Sequence, residues 1–223
     1  MKFQMLFRSL GLIVVASLNM AMGFAPAAVP PTSVLLERSA ATIPTLGDFV
    51  AIIKNGQAGQ VVGVYVPDVL ALKVAQQPVN SPTFVNGNIG YVTQFSLPTQ
   101  YGTTGLLAHN YLSGALFFDL SIGQEVDIIY GDGYIHLYTI STVRHFRAVS
   151  PTNPDSKFVE IDDNRGTEIS STDLFHQIYA KGDQVVFQTC INANNNVSWG
   201  RLFVIATPTS LRYDPVQNLK HIK

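Results

Sequence analysis

Only one cysteine, Cys190, occurs among the 223 residues, and disulfide bracing within the chain is therefore excluded. Charge is also scarce: 14 Lys and Arg against 15 Asp and Glu give a formal net charge of −1, and charged residues make up 13% of the chain. No basic stripe or Lys/Arg cluster interleaved with aromatics is present, which removes the electrostatic footprint expected of a nucleic-acid binder. No glycine-rich loop of nucleotide-binding type and no His/Cys/Asp cluster of zinc-ligand spacing occurs either. What remains is a neutral chain rich in apolar residues, 47% of the total, and long enough to bury a core without covalent staples.

One long uncharged run does exist, and it lies at the N-terminus. Lys2 and Arg8 precede a stretch from Ser9 to Leu36 with no charged side chain, and Leu10 to Ser17 is its apolar centre. Small-residue patterns follow at Ala21-Met22-Gly23 and Ala25-Pro26-Ala27. That order matches a secretory signal, and an uncleaved membrane anchor is the competing reading because Leu10 to Val29 is just long enough to span a bilayer. Either way the body of the chain is expected outside the cytoplasm. Residues 1–27 are assigned to this segment, 28–45 to a Pro-rich stalk, 46–210 to one domain and 211–223 to a tail.

Beyond the stalk the pattern is β. Strands are expected at Gln60–Pro67, Val69–Val74, Ile89–Phe95, Gly105–His109, Glu125–Tyr130, Tyr134–Val143, Asp183–Thr189 and Arg201–Ala206, with Gly131-Asp132-Gly133 as a hairpin turn. Eight short strands separated by Gly, Pro and Asn predict an all-β fold, a closed barrel or a sandwich. One helix is expected after Ser170-Ser171-Thr172-Asp173, where Leu174, Phe175, Ile178 and Tyr179 fall at helical spacing and Lys181-Gly182 ends the run. A helical or loop segment covers Leu46 to Ile53. Pro151 to Ser171 reads as a long polar connection, and such connections are either functional lids or disordered.

Three segments carry candidate chemistry. Gly105 to Asn110 places His109 at the end of an apolar run; Val185 to Cys190 places the thiol at the end of another; Trp199-Gly200-Arg201 opens a third. A free thiol is only a few per cent thiolate at neutral pH, and a cationic neighbour raises that fraction. An imidazole can take a proton and return it to a leaving amine, and a guanidinium can steady a developing oxyanion. A lone cysteine is often no more than a small buried hydrophobe. Its company here, a histidine and an arginine at comparable strand ends, favours chemistry.

These segments resemble the sortases, extracytoplasmic cysteine transpeptidases of bacteria. The resemblance rests on Leu107-Ala108-His109-Asn110, on Val186-Phe187-Gln188-Thr189-Cys190, and on Arg201, eleven positions after the cysteine. Val186 and Phe187 stand where the family more often carries threonine and leucine, and Thr189 is kept. The similarity implies a closed eight-stranded sortase-like barrel with one or two short helices. It implies catalytic roles for His109, Cys190 and Arg201, a protein substrate bearing a C-terminal sorting signal, and an amine acceptor on the cell wall or a protein. Alternatives are a sortase-like scaffold without turnover, a hydrolase that uses water as acceptor, and an L,D-transpeptidase, whose Ser-x-Gly-Cys motif Gln188-Thr189-Cys190 does not match.

Other motifs carry less. No cofactor is expected: Asp162 to Glu168 supplies oxygen ligands that calcium could use, but lacks the spacing of a calcium loop. His136, His145 and His176 read as structural. Asn196-Val197-Ser198 fits a glycosylation sequon by chance, and Leu97-Pro98-Thr99-Gln100 is internal and lacks the tail of a sorting signal.

Overall fold

Runs of Val, Ile and Phe alternating with smaller or polar residues build the strands, because branched side chains pack well on a pleated surface. The computed structural model describes residues 43–209 apart from 154 and 164. The export segment, nearly all of the stalk and the C-terminal tail lie outside the described residues. Among the described residues no helix is long and apolar enough to cross a membrane.

The strands are β1 Val61–Val66, β2 Leu70–Gln76, β3 Tyr91–Phe95, β4 Thr103–Leu107, β5 Glu125–Tyr130, β6 Ile135–Ala148, β7 Phe158–Glu160, β8 Glu168–Ile169, β9 Gln184–Ala193 and β10 Asn196–Pro208. Their order is β10-β9-β4-β3-β2-β1-β5-β6-β7-β8, and β10 also pairs with β6. That last pairing closes eight strands into a barrel, as expected, and leaves β7 and β8 as a short sheet continuing outward from β6. The connection expected as an irregular loop therefore holds two strands: Phe158 pairs with Ala148 and Glu160 with Phe146.

Side chains alternate across the barrel wall. Val185, Phe187, Leu202 and Val204 point inward with Val64, Leu106, Ile128 and Ile140. Val186 and Phe203 point outward, where they are covered by α2, Ser171–Tyr179, through Leu174, Ile178 and Tyr179. The α2 start is as the sequence predicts, with the Ser170 hydroxyl accepting from the Asp173 N–H at 3.0 Å. A first helix, α1 (Leu46–Ile53), lays Phe49 on Val62, Tyr65, Ile129 and Ile135. It fits closely because Gly63 has no side chain where the Ile53 tip rests.

The outer face under α1 also holds a buried acid. Asp127 pairs across strands with Tyr65. Burial, with Glu125 two residues away on the same face, pushes its carboxyl up from 3.8 to about 6. Between those values the folded chain keeps a proton that the unfolded chain has released, so stability falls as pH rises through this window. Asp127→Asn is expected to raise the melting temperature at neutral pH and to flatten its pH dependence between those values. An unchanged profile in thermal melts across the window would refute this.

Among the strand limits that differ from expectation, three concern the candidate residues. β9 and β10 run well past Cys190 and Arg201, meeting at a turn where Asn194 and Asn195 adopt φ of 51° and 60°. Two consecutive left-handed residues form the tight hairpin turn that suits twisted strands, and asparagine tolerates that conformation better than most. Cys190 and Arg201 consequently lie inside a long hairpin instead of at strand ends. β4 stops at Leu107, so His109 lies two residues beyond it.

Candidate active site

Cys190 and Arg201 are direct cross-strand partners in the β9–β10 hairpin. Directly opposed residues share a face, and alternation from Val186 and Gln188 places both on the outer face of the barrel. The thiol is half-buried and unpaired. It is not sealed in the interior.

β4 lies on the other side of β9, in parallel, with Leu107 beside Gln188. Two hydrogen bonds carry this pairing past the end of β4. The Ala108 N–H donates to the Gln188 carbonyl at 3.2 Å, and the Thr189 hydroxyl donates to the Ala108 carbonyl at 2.9 Å. Continued one step, the register brings His109 level with Cys190. The sheet pairs Cys190 directly with Arg201, and the backbone that continues from β4 brings His109 to the level of Cys190 on the other side of β9.

The chain then turns sharply. Leu112 and Gly114 N–H groups both donate to the His109 carbonyl at 3.0 Å, opening the 3-10 segment Ser113–Asp119 that drives Phe117 into the barrel interior. Asn110 Nδ2 donates to the Val197 carbonyl at 3.1 Å, fastening this turn to the β9–β10 hairpin. The His109 ring stacks on Tyr111, with centroids 5.2 Å apart and planes within 18°. Tyr111 is itself 71% exposed, so one face of the imidazole is covered by a ring at the rim.

Arg201 is held by its own strand and lies over a ring of β7. Nη1 donates to the Gly200 carbonyl at 2.8 Å and the Ser198 carbonyl at 3.2 Å, and Cζ lies 5.8 Å from the centre of the Phe158 ring. Among the described residues it makes no ion pair.

Below Cys190, Gln188 is fixed by α2: the Tyr179 hydroxyl donates to Gln188 Oε1 at 2.5 Å. Tyr179 is buried, which holds its phenol far above the usual range and in the donor form. Thr103 Oγ1 donates to the Tyr179 and Gly182 carbonyls at 2.7 Å, so β4 and β9 are tied together through the end of α2.

The remaining described histidines have other partners. His136 Nδ1 is 3.0 Å from the Tyr138 hydroxyl, which donates to Asp183 at 2.7 Å. That group lies before β9, about 23 Å along the strand from Cys190 at a rise of about 3.3 Å per residue. His145 Nδ1 is 3.0 Å from Asp162, and His176 packs edge-on against Tyr101. In the acidic turn Asp163 pairs with Arg165 at 2.7 Å and Glu168 with Lys157 at 3.1 Å. Among the described residues no three His, Cys, Asp or Glu side chains converge as a metal site.

Two contributors escaped sequence reasoning. Thr189 was visible as part of the motif, but not as the hydroxyl that carries the β4 register onward to His109. Gly114 gave only the small-residue pair Ser113-Gly114 as a signal. Its closeness to Thr189, His109 and Ala108 arises from the turn alone.

A thiol, an imidazole and a guanidinium on adjacent segments have the composition needed for acyl transfer: a nucleophile, a proton carrier and a cation for a developing oxyanion.

No family model matches this chain, and no curated protein matches it. Solved structures do. Sortase A of Listeria monocytogenes is 13% identical, over 72% of this chain and 96% of that one, with a TM-score of 0.42. Sortase A from Corynebacterium diphtheriae is 16% identical, over 70% and 63%, with a TM-score of 0.44. Sortase C1 from Streptococcus suis is 15% identical, over 77% and 80%, with a TM-score of 0.45. All three are sortases, the family that the motifs resemble.

Proposed function

We propose that this chain is an exported cysteine transpeptidase of sortase type that acts on sorting-signal peptides. The observation that supports this best is the cross-strand pair of Cys190 and Arg201 on the outer face of a closed barrel, with the thiol accessible and unpaired and His109 level with it just beyond β4.

In this scheme Cys190 Sγ, its proton passed to His109, attacks a peptide carbonyl. The tetrahedral oxyanion forms beside the Arg201 guanidinium. The C–N bond breaks, His109 returns the proton to the departing amine, and a thioester remains on Cys190. An incoming amine then attacks the thioester carbonyl and gives its proton to His109. The C–S bond breaks and the thiol is restored. The net change is exchange of one amide for another, with no oxidant, reductant or metal required. Access from outside the cytoplasm follows from the N-terminal segment, cleaved or retained.

The test uses the intact protein, a library of peptides ending in sorting-signal sequences, and a short amine acceptor such as triglycine. Mass spectrometry is expected to detect an acyl adduct on Cys190 and an exchanged product, with Cys190→Ala abolishing both. A Cys190→Ala variant that processes the library as well as the parent would remove the enzyme. Release of acid without the exchanged amide would assign a hydrolase instead.

A further inference from the structure

The row that holds Cys190 and Arg201 continues across the sheet. Arg201 pairs with Phe146 on β6, and Phe146 pairs with Glu160 on β7. Directly opposed residues share a face, so a carboxylate lies on the same face as Arg201, one strand removed. Two strand spacings of about 4.8 Å separate their backbones by about 10 Å, within the combined reach of an arginine and a glutamate. The Arg201 guanidinium already extends that way, resting over Phe158, two residues from Glu160 on the same strand.

Glu160 is instead taken by a second arginine. Arg144 Nε lies 2.6 Å from Oε1 and Nη2 lies 2.7 Å from Oε2, a two-pronged pair with side chains only 18% and 19% exposed. The Arg144 guanidinium also lies 4.9 Å from the centre of the Phe146 ring, the residue that separates Arg201 from Glu160. It therefore occupies both the carboxylate and the space through which Arg201 would reach it. Both arginines lie over an aromatic ring, but only Arg144 presents its planar fork to both carboxylate oxygens, and a two-pronged pair of this kind outcompetes a rival that makes no contact with the carboxylate.

We propose that Arg144 is a positioning residue that sequesters Glu160 and so keeps the Arg201 guanidinium free for substrate, a consequence that rests on the transpeptidase reading for the role of Arg201. Neutralising Arg201 within the sheet would remove the cation from the oxyanion position without altering Cys190 or His109.

The test combines Arg144→Gln, Glu160→Gln and the double variant in the intact protein. Proton–nitrogen NMR of the Arg201 Nε–H group reports its pairing, and kcat/KM on the sorting-signal peptide reports its availability. Arg144→Gln is expected to shift the Arg201 signal, slow its exchange with water, and lower kcat/KM by roughly tenfold to a hundredfold, as loss of one oxyanion-stabilising donor does. The double variant is expected to return both readouts to near the parent values. Glu160→Gln alone should leave them there. A structural role for the pair would give the opposite ranking, with the double variant as impaired as the single ones, and that result overturns the proposal. So does an Arg201 signal unmoved in Arg144→Gln. Should Arg144→Gln not fold, Arg144→Lys keeps the charge without the fork, and the same partial shift and double-variant rescue are required. If the parent shows no turnover, the enzyme reading falls, while the NMR signal still decides whether Arg144 holds Glu160 away from Arg201.

Discussion

Gly114→Ala is expected to lower turnover on the order of a hundredfold, because displacing a catalytic group by about 1 Å has an effect of that size. A Cβ at this position would collide with the Thr189 hydroxyl and lie 2.7 Å from the His109 carbonyl oxygen and 2.8 Å from that of Ala108. Real Cβ atoms do not tolerate such approaches, and two of the three neighbours are backbone atoms already engaged in hydrogen bonds. Either the Thr189 hydroxyl leaves the Ala108 carbonyl, or the turn that begins at His109 opens. Both move His109 relative to Cys190. Overpacking of this kind also destabilises by about 1–3 kcal/mol. Thr189→Val separates the two effects, since it removes the hydroxyl while nearly keeping the shape. Thermal melts together with kcat/KM give the comparison. A Gly114→Ala protein with parental turnover would show that the turn does not set the position of the imidazole.

The second large effect is expected at His109 itself. His109→Ala should reduce kcat by about a hundredfold to ten-thousandfold, the range for a positioned acid–base group. Thermal stability should change little: the contacts that build the turn are made by the His109 carbonyl, not by its ring. The ring packs against Tyr111, which is mostly exposed, so its loss removes little buried surface. Added imidazole is expected to restore part of the rate in His109→Ala, since the vacated space opens beside an exposed ring. Restoration of turnover by imidazole, measured against unchanged Tm, distinguishes proton transfer from support. A variant that keeps full kcat would place the proton carrier elsewhere.

The barrel was legible because its signal is local. Short apolar runs rich in branched residues, Val61 to Val66 and Val185 to Phe187, and the Gly131-Asp132-Gly133 turn between β5 and β6, act over a few residues. Gly133 takes φ of 91°, as that turn requires. The α2 start was legible for the same reason: its cap and its apolar stripe lie within one helix. The ends of β9 and β10 were not. Their length depends on Asn194 and Asn195 closing a two-residue turn, whereas the run from Asn192 to Asn196 suggests a loop. β7 and β8 were equally hidden, since three- and two-residue strands exist only because β6 supplies an edge for them.

The amino-acid sequence determined which groups are present for chemistry: one thiol without a disulfide partner, an imidazole and a guanidinium next to apolar runs, and hardly any competing charge. It determined the all-β class as well, because short branched apolar runs bounded by Gly, Pro and Asn are a property of adjacent residues. Only the tertiary structure decided which residue stands beside which. The parallel register of β4 on β9, the Thr189 hydroxyl that extends it, and the row running from Cys190 through Arg201 and Phe146 to Glu160 all join strands far apart in the chain. Register is set by how whole faces pack against the core, where a slip of one residue would turn every buried side chain to solvent. That constraint acts between segments, and no single segment carries it.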